Sequence, residues 1–511
     1  MRLLTLISLT LLMCAPTYAT ENKGDTMSEL EKMGAIVEKD PKMPQVISYT
    51  LKNGLKILML EKHFSPIISF NMTFKAGNVD NVQGKTGLAH MAEHMAFKGT
   101  KTINTLNYTK EKIILEKIEK ANKELTLEKS KKPLNEEKIK QLEIDFEKLQ
   151  KEADKYIIKN EYTKIYKELG SSGLNAGTST DYTTYMISLP SNRLKDWMII
   201  ESDRFKNPVL REFYMERDVV MEEKRMGDSN PGKVLWETLF SHAFVAHPYK
   251  NPTIGWSDDL KKFSATDAKN FFGKFYAPNN ATLAIVGDIN PKEVIKLAEK
   301  YFSSWKSKEI PSVDYTKEPE QKAEKRIDLF FKAQPMFRMG FHNDGFDSAD
   351  MPALIVLSEV LSGGKTGRFY KTIVEGRKIA LYAGSYHSTP GNRYPSLFII
   401  AAAPKNPHTS QEVDTAIMEE IEKVKKEAPS KWEMDRIINN YEADLIKQLE
   451  SNSGMAQNLS SGQQILGDWK SDWKILERIK KLTPEDISKA ARKYLVKENK
   501  TIVFLIMPEE K

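Results

Sequence analysis

The sequence predicts an α+β protein made of two duplicated domains, each a mostly antiparallel sheet packed with helices, with an antiparallel helical hairpin inserted into the first. Three observations predict it. The chain has 511 residues, more than one hydrophobic core usually organises. A helix-then-strand segment, FSATDAKNFFGKFYAPNNATLAIVGD from Phe263, recurs as LTPEDISKAARKYLVKENKTIVFLIMP from Leu482, and a strand, FNMTFKAGN from Phe70, recurs as FRMGFHNDG from Phe337. The strands are 267 residues apart and the helix–strand segments only 219, so the first half holds 48 extra residues.

In chain order, residues 1–19 (MRLLTLISLTLLMCAPTYA) carry Arg2, an apolar run from Leu3 to Met13 and small residues ending at Ala19. This is the layout of a signal peptide, and the run is too short to span a bilayer. An exported chain, periplasmic or secreted, follows. Cys14, its one cysteine, would leave with the signal, which suits an oxidising compartment. Leu11-Leu12-Met13-Cys14 loosely resembles a lipoprotein cleavage box, but Met13 is too large for the position before the cysteine, so lipidation is not expected. Residues 20–44 read as a polar leader, and 45–304 as the first domain.

The extra residues lie within about 108–168. From Lys110 to Glu168 the chain is highly charged, with 16 Lys against 14 Asp and Glu. Ile114, Ile118, Ala121 and Leu125 form one apolar seam, and Ile139, Leu142, Phe146, Leu149, Ala153 and Tyr156 another, with Lys132-Pro133-Leu134-Asn135 between them. Spacings alternating between four and three residues place each seam on one side of a helix, hence a coiled-coil-like hairpin. Residues 305–325, polar with two prolines, read as a linker, and 326–511 as the homologous second domain.

Composition narrows the class. With 40% hydrophobic and 29% charged residues the chain is globular. The 77 Lys and Arg against 70 Asp and Glu give a net charge of +7 with no concentrated basic run, so no nucleic-acid partner is expected. After residue 19 no apolar run reaches membrane-spanning length.

The chemistry points to GKTGLAHMAEHMAFKGT. His90 and His94 are four apart and Glu93 three beyond His90, so on a helix all three share a side. Two imidazoles can bind zinc, and a carboxylate beside them can take a proton from an attacking water. Two histidines on a surface helix would give the same pentapeptide. A third ligand must come from elsewhere; in Glu216–Glu223 (ERDVVMEE), Glu216 and Glu223 are seven apart and share a helix face. A solvated acidic face would read the same way.

His90-Met91-Ala92-Glu93-His94, GLNAGTSTDYTTYMISLP (Gly173–Pro190), ERDVVMEE and NNATLAIVGDINP (Asn279–Pro291) together resemble the pitrilysin/insulinase family of inverted-motif zinc peptidases, in particular its mitochondrial processing peptidase-like branch. The resemblance implies one Zn2+ per chain held by His90, His94 and Glu223, with Glu216 behind it and Glu93 as general base. It places Asn175 and Ala176 on the strand that pairs with extended substrate. It implies a zinc-dependent endopeptidase or oligopeptidase acting on extended or unfolded peptides. One departure matters. Where single-chain members of that family carry an arginine and a tyrosine, this chain has Val374 and Leu381, with Arg368 and Tyr382 out of register. The implied partner is then a homologous metal-less subunit, or a second copy in a homodimer. A non-catalytic chaperone or scaffold of the same fold is the further alternative.

Overall fold

The computed structural model describes residues 23–311 and 315–508; the signal-peptide reading of residues 1–19 lies outside them. Among the described residues, β1 (Ile36–Val37), β2 (Ile47–Thr50), β3 (Lys56–Glu61), β4 (Ile67–Phe74), β5 (Ser172–Thr178), β6 (Thr183–Pro190) and β7 (Ala281–Gly287) form one sheet in the order β1-β2-β3-β7-β4-β6-β5. A second sheet holds β8 (Lys325–Phe330), β9 (Met336–Asn343), β10 (Ala380–Thr389), β11 (Ser396–Pro404) and β12 (Lys500–Ile506) in the order β10-β11-β9-β12-β8. Read from the other edge, β8-β12-β9-β11-β10 repeats β3-β7-β4-β6-β5 strand for strand. In each half one pair is parallel, β3 with β7 and β8 with β12, and the rest are antiparallel. The duplication is thus carried by topology, and the fold is the two-sheet α+β architecture that the repeats predict.

The strands are nearly continuous apolar runs because both sheet faces are covered. β7 (ATLAIVG) and β11 (SLFIIAAAP) are buried at every position. One face of each sheet packs on its own half's helices; Phe70 of β4, for instance, stacks on Trp197 with ring centroids 4.2 Å apart. The other face is covered by a helix from the opposite half. Met455, Ala456 and Leu459 of helix Asn452–Leu466 lie on Leu58, Ala284 and Val286 of the first sheet. Leu235, Leu239 and Ala243 lie on Ile399, Val503 and Leu505 of the second. Burying several such side chains, each contributing about 1.5–3 kcal/mol, holds the halves together.

Two boundaries differ from the reading by composition. Residues 23–44, assigned to a polar leader, carry α1 (Lys23–Lys32) and β1, and β1 pairs with β2 through Val37 and Ile47. Met27, Leu30 and Met33 recur every three residues and face the core, where Leu30 is buried; three apolar residues among many charges are too sparse for composition to register. The hairpin is α3 (Tyr108–Lys129) and α4 (Glu136–Asp154). The helix that follows, α5 (Glu161–Glu168), belongs to the body of the first half, because Tyr162 and Tyr166 are buried and both donate to Glu201. Along the hairpin, the two seams are its less exposed residues. Asn107 and Asn135 cap α3 and α4 by accepting from Lys110 N and Lys138 N. The linker is strapped down: Glu318 accepts from the backbone N–H groups of Val245, Ala246 and His247.

Candidate metal centre

Residues Leu88–Met95 form α2, which starts at Gly87 with φ of +95°. A Cβ there would sit 2.3 Å from the carbonyl oxygen of Ile254, so the tight entry to α2 requires glycine. Asn81 Oδ1 accepts from Ala89 N at 2.9 Å and satisfies one free N–H of the first turn. The far end is held by two buried arginines. Arg204, on α6 (Leu194–Lys206), donates from Nε to Ala96 O at 2.9 Å while its guanidinium lies 4.4 Å from the rings of Phe97 and Tyr185. Arg211 donates to the carbonyls of Lys98, Thr100 and Ile103. Cations there also suit the negative end of the helix dipole.

Helix α7 (Phe213–Asp228) lies across α2. His90 Nε2 is 3.7 Å and His94 Nε2 is 3.8 Å from the same atom, Glu223 Oε2. All three ligand atoms lie within 4.8 Å of one another. Tetrahedral zinc with ligands near 2.0–2.1 Å needs separations of roughly 3.3–3.5 Å, so the donor set fits the ion with small side-chain adjustment. Glu223 is about half exposed, which leaves the centre open to solvent on one side.

The tautomer of His94 is fixed from behind. Its Nδ1 lies 2.8 Å from Glu216 Oε1 and donates to it, so the Nε2 lone pair faces Glu223. Lys98 Nζ holds the other oxygen of Glu216 at 2.6 Å. The bond from His94 brings the Glu216 carboxyl down to about 2, with Lys98 adding to the effect against burial. Burial disfavours charge on His94, but the bond to Glu216 together with the charges of Glu216, Glu93 and Glu223 outweighs it, and its pKa is raised. Burial holds His90 at about 3, helped by the charges of His94 and Lys233, so this imidazole is neutral and ready to ligate. Its Nδ1 is buried without a hydrogen-bond partner among the described residues.

Glu93 is 9% exposed and receives a hydrogen bond from Thr178 Oγ1 at 2.6 Å. Burial raises its pKa, and the Thr178 bond and the nearby His94 offset this in part. Thr178 ends β5, the last strand of its sheet. Asn175 and Ala176 lie on that strand, paired inward with Met186 and Tyr185, while its other edge carries no strand among the described residues. The sequence assigns no role to Thr178, Lys98 or the two arginines, although Thr178 and Lys98 lie within the quoted motifs. Lys98 alone left a signal there, four residues beyond His94 on the same helical side.

In the second half, the counterpart of α2 in order is Met351–Ser362, whose residues are nearly all buried and apolar. Val374 packs against that half's core and Leu381 is 54% exposed on β10. Arg368 is engaged by Glu433 at 3.0 Å. Tyr382 and Tyr386 instead share the face of the second sheet that carries Arg338, as the register of β10, β11 and β9 requires. Arg338 lies 3.9 Å over the Trp236 ring and donates to Gly232 O at 2.6 Å. Gly232 precedes Lys233 in the first turn of α8 (Pro231–Ala243), the turn whose charge His90 feels.

The profile described as "Insulinase (Peptidase family M16)" matches residues 56–124 and 147–256, and that described as "Peptidase M16 inactive domain" matches 262–441. The chain belongs to peptidase family M16. The M16 profile skips residues 125–146, the outer part of the α3–α4 hairpin. Among M16-like relatives, "Zinc protease PqqE" of Helicobacter pylori is 28% identical over 486 residues, covering 93% of this chain and 96% of that protein. The solved structure of a protease from Helicobacter pylori superposes with a TM-score of 0.75 at 27% identity, over 91% of this chain and all of that one. The periplasmic protease PqqL from Escherichia coli shares the fold at a TM-score of 0.68 and 16% identity, over 93% of this chain and 48% of that one. Among the described residues no helix is long and apolar enough to cross a membrane.

Proposed function

We propose that this chain is an exported zinc-dependent endopeptidase or oligopeptidase that hydrolyses extended or unfolded peptides. The observation that carries the reading is the convergence of His90 Nε2 and His94 Nε2 on Glu223 Oε2, with the buried Glu93 carboxylate on the same helix side. His90, His94 and Glu223 would hold the zinc, which when bound would supply a Lewis acid for the scissile carbonyl. Glu93 takes a proton from the attacking water and delivers it to the departing amine nitrogen; its raised pKa suits a group that must do both. Thr178 aims the Glu93 carboxylate, and Glu216 and Lys98 fix the ring of His94. The free edge of β5, at Asn175 and Ala176, orients an extended peptide by main-chain hydrogen bonds that ignore side-chain identity. Export rests on the layout of residues 1–19.

Glu93→Gln tests this directly, because glutamine keeps the shape and cannot accept the proton. The variant should retain stoichiometric zinc and lose peptide hydrolysis by at least about 100-fold. Hydrolysis at the wild-type rate with full zinc content would refute the assignment.

A second reading has its own observation. Val374 and Leu381 cannot donate to the developing oxyanion, a contribution worth about 3 kcal/mol. The chain then acts as a metal-bearing subunit that needs a homologous partner supplying arginine and tyrosine. Full activity of the isolated chain, abolished by Arg338→Ala, would instead assign that task to Arg338 and its neighbouring tyrosines.

A further inference from the structure

The inserted hairpin shelters ground that the metal centre does not use. A cleft of about 1500 Å3 runs between α3, the last turn of α4, the stretch 205–215 and the helix Ala265–Phe275, and neither His90, His94, Glu93 nor Glu223 lines it. That volume exceeds the roughly 300–1,000 Å3 of small-molecule pockets. Its floor is apolar: Ile118, Phe205, Phe213, Phe272 and Trp305 are all buried side chains that reach it.

Its rim is basic. Among the described residues, nine lysines line the cleft against four carboxylates, with no arginine or histidine. Three of the carboxylates are already engaged: Glu119 accepts from Tyr214 OH at 2.6 Å and Thr266 N at 3.1 Å, Glu212 lies 3.5 Å from Lys98 Nζ, and Glu116 lies 3.7 Å from Lys112 Nζ. Lys101, Lys123, Lys269, Lys274 and Lys306 are exposed and form no ion pair among the described residues. Charges of one sign gathered around a low-dielectric floor repel each other and focus a positive potential into the cleft. The four carboxylates of the lining leave the nine lysines in excess by five.

We propose that this cleft is a docking site for an acidic polypeptide segment that carries apolar side chains between its carboxylates. The lysine rim matches the carboxylates, and the apolar floor matches the side chains between them. The apolar floor favours a polypeptide, whose side chains can fill it, over a bare phosphate chain, which has nothing to bury there. The cleft is separate from the free edge of β5, so an occupant here and a peptide at the metal centre are held at the same time.

The test uses the whole chain in a Glu93→Gln background, which prevents consumption of the probe, and a fluorescent peptide of about twelve residues alternating glutamate with leucine or phenylalanine. Anisotropy is read at about 50 mM and about 300 mM salt, since exposed pairs are screened within about 10 Å. The expected result is saturable binding that weakens with salt and falls at least about tenfold in Lys123→Glu/Lys269→Glu/Lys274→Glu. The milder triple change of the same lysines to glutamine should give an intermediate loss with unchanged zinc content and melting temperature, which separates charge from misfolding. A peptide with lysine in place of each glutamate should not bind. No binding of the acidic peptide, binding indifferent to both triple variants, or tighter binding of polyphosphate or a single-stranded oligonucleotide of equal charge would overturn the proposal.

Discussion

Replacing Arg211 by methionine removes the centre of a fully buried cluster that ties the hairpin to both helices of the metal site. Arg211 and Glu111 are 0% exposed. All five guanidinium N–H groups are used: Nε and Nη2 donate to the two oxygens of Glu111 at 2.7 and 3.2 Å, and the remaining bonds go to the carbonyls of Lys98, Thr100 and Ile103. Glu111 lies in the first turn of α3, Arg211 precedes α7, and Lys98 follows α2 and holds Glu216. Glu111→Leu strands a buried cation, which costs about 3–5 kcal/mol. Arg211→Met strands a buried anion at a similar cost, plus about 1–3 kcal/mol for each carbonyl left without a donor. In the double variant the charge penalty disappears and the carbonyl penalty stays. The double variant should therefore be less destabilised than the sum of the singles by about 3 kcal/mol or more. The assay is calorimetric melting of the zinc-loaded chain, read at the transition of the metal-bearing half, where about 3–5 kcal/mol corresponds to a fall of roughly 6–20 °C. Zinc affinity by chelator competition should fall in parallel for both singles. A coupling energy below about 1 kcal/mol, the range of an exposed pair, would refute the reasoning.

The other predictions concern the site itself. Thr178→Val removes the hydrogen bond that stabilises ionised Glu93, so the Glu93 pKa rises further; a charge-assisted bond of about 1.5–3 kcal/mol moves the acid limb of kcat/KM up by about 1–2 pH units, and an unmoved limb would sink the idea. Glu216→Gln removes the charge that raises the His94 pKa. Since a proton competes with zinc for Nε2, the pH below which zinc uptake falls should move down, while affinity at neutral pH weakens by about 10–100-fold; equilibrium dialysis against pH checks both. Gly87→Ala must relieve a 2.3 Å approach to Ile254 O at a positive φ. It should destabilise by at least about 1–2 kcal/mol and lower zinc content, and a wild-type melt would show that α2 tolerates a side chain there.

Much of the fold and of the candidate site is legible in the sequence because the relevant spacing is local. His90, Glu93 and His94 sit within one and a half turns, and Glu216 and Glu223 within two, so helix geometry alone sets which side chains share a side. The repeated FNMTF and FRMGF strands, and the two capped helices before β7 and β12, read directly as a duplication. The residues that sequence reasoning missed act across long separations. Thr178 reaches Glu93 over 85 positions and Arg211 reaches Glu111 over 100, and nothing at either end marks the pairing. Helix α1 escapes a reading by composition for a different reason: three apolar residues suffice to seat it once a core exists for them to meet.

By itself, the sequence determined the period of each helix and strand, the doubled order of the elements, the inserted seam and the identity of the candidate ligands. These follow from side-chain chemistry and spacing within a few turns of chain. The tertiary structure alone decided that α7 crosses α2 so that Glu223 meets both imidazoles, and that each sheet borrows a helix from the other half. It also decided that lysines scattered from Lys101 to Lys308 converge on one cleft. Charge in the sequence is a sum, and a sum of +7 is bland. Its distribution in space depends on which distant segments the buried apolar surfaces bring together, and no local pattern encodes that.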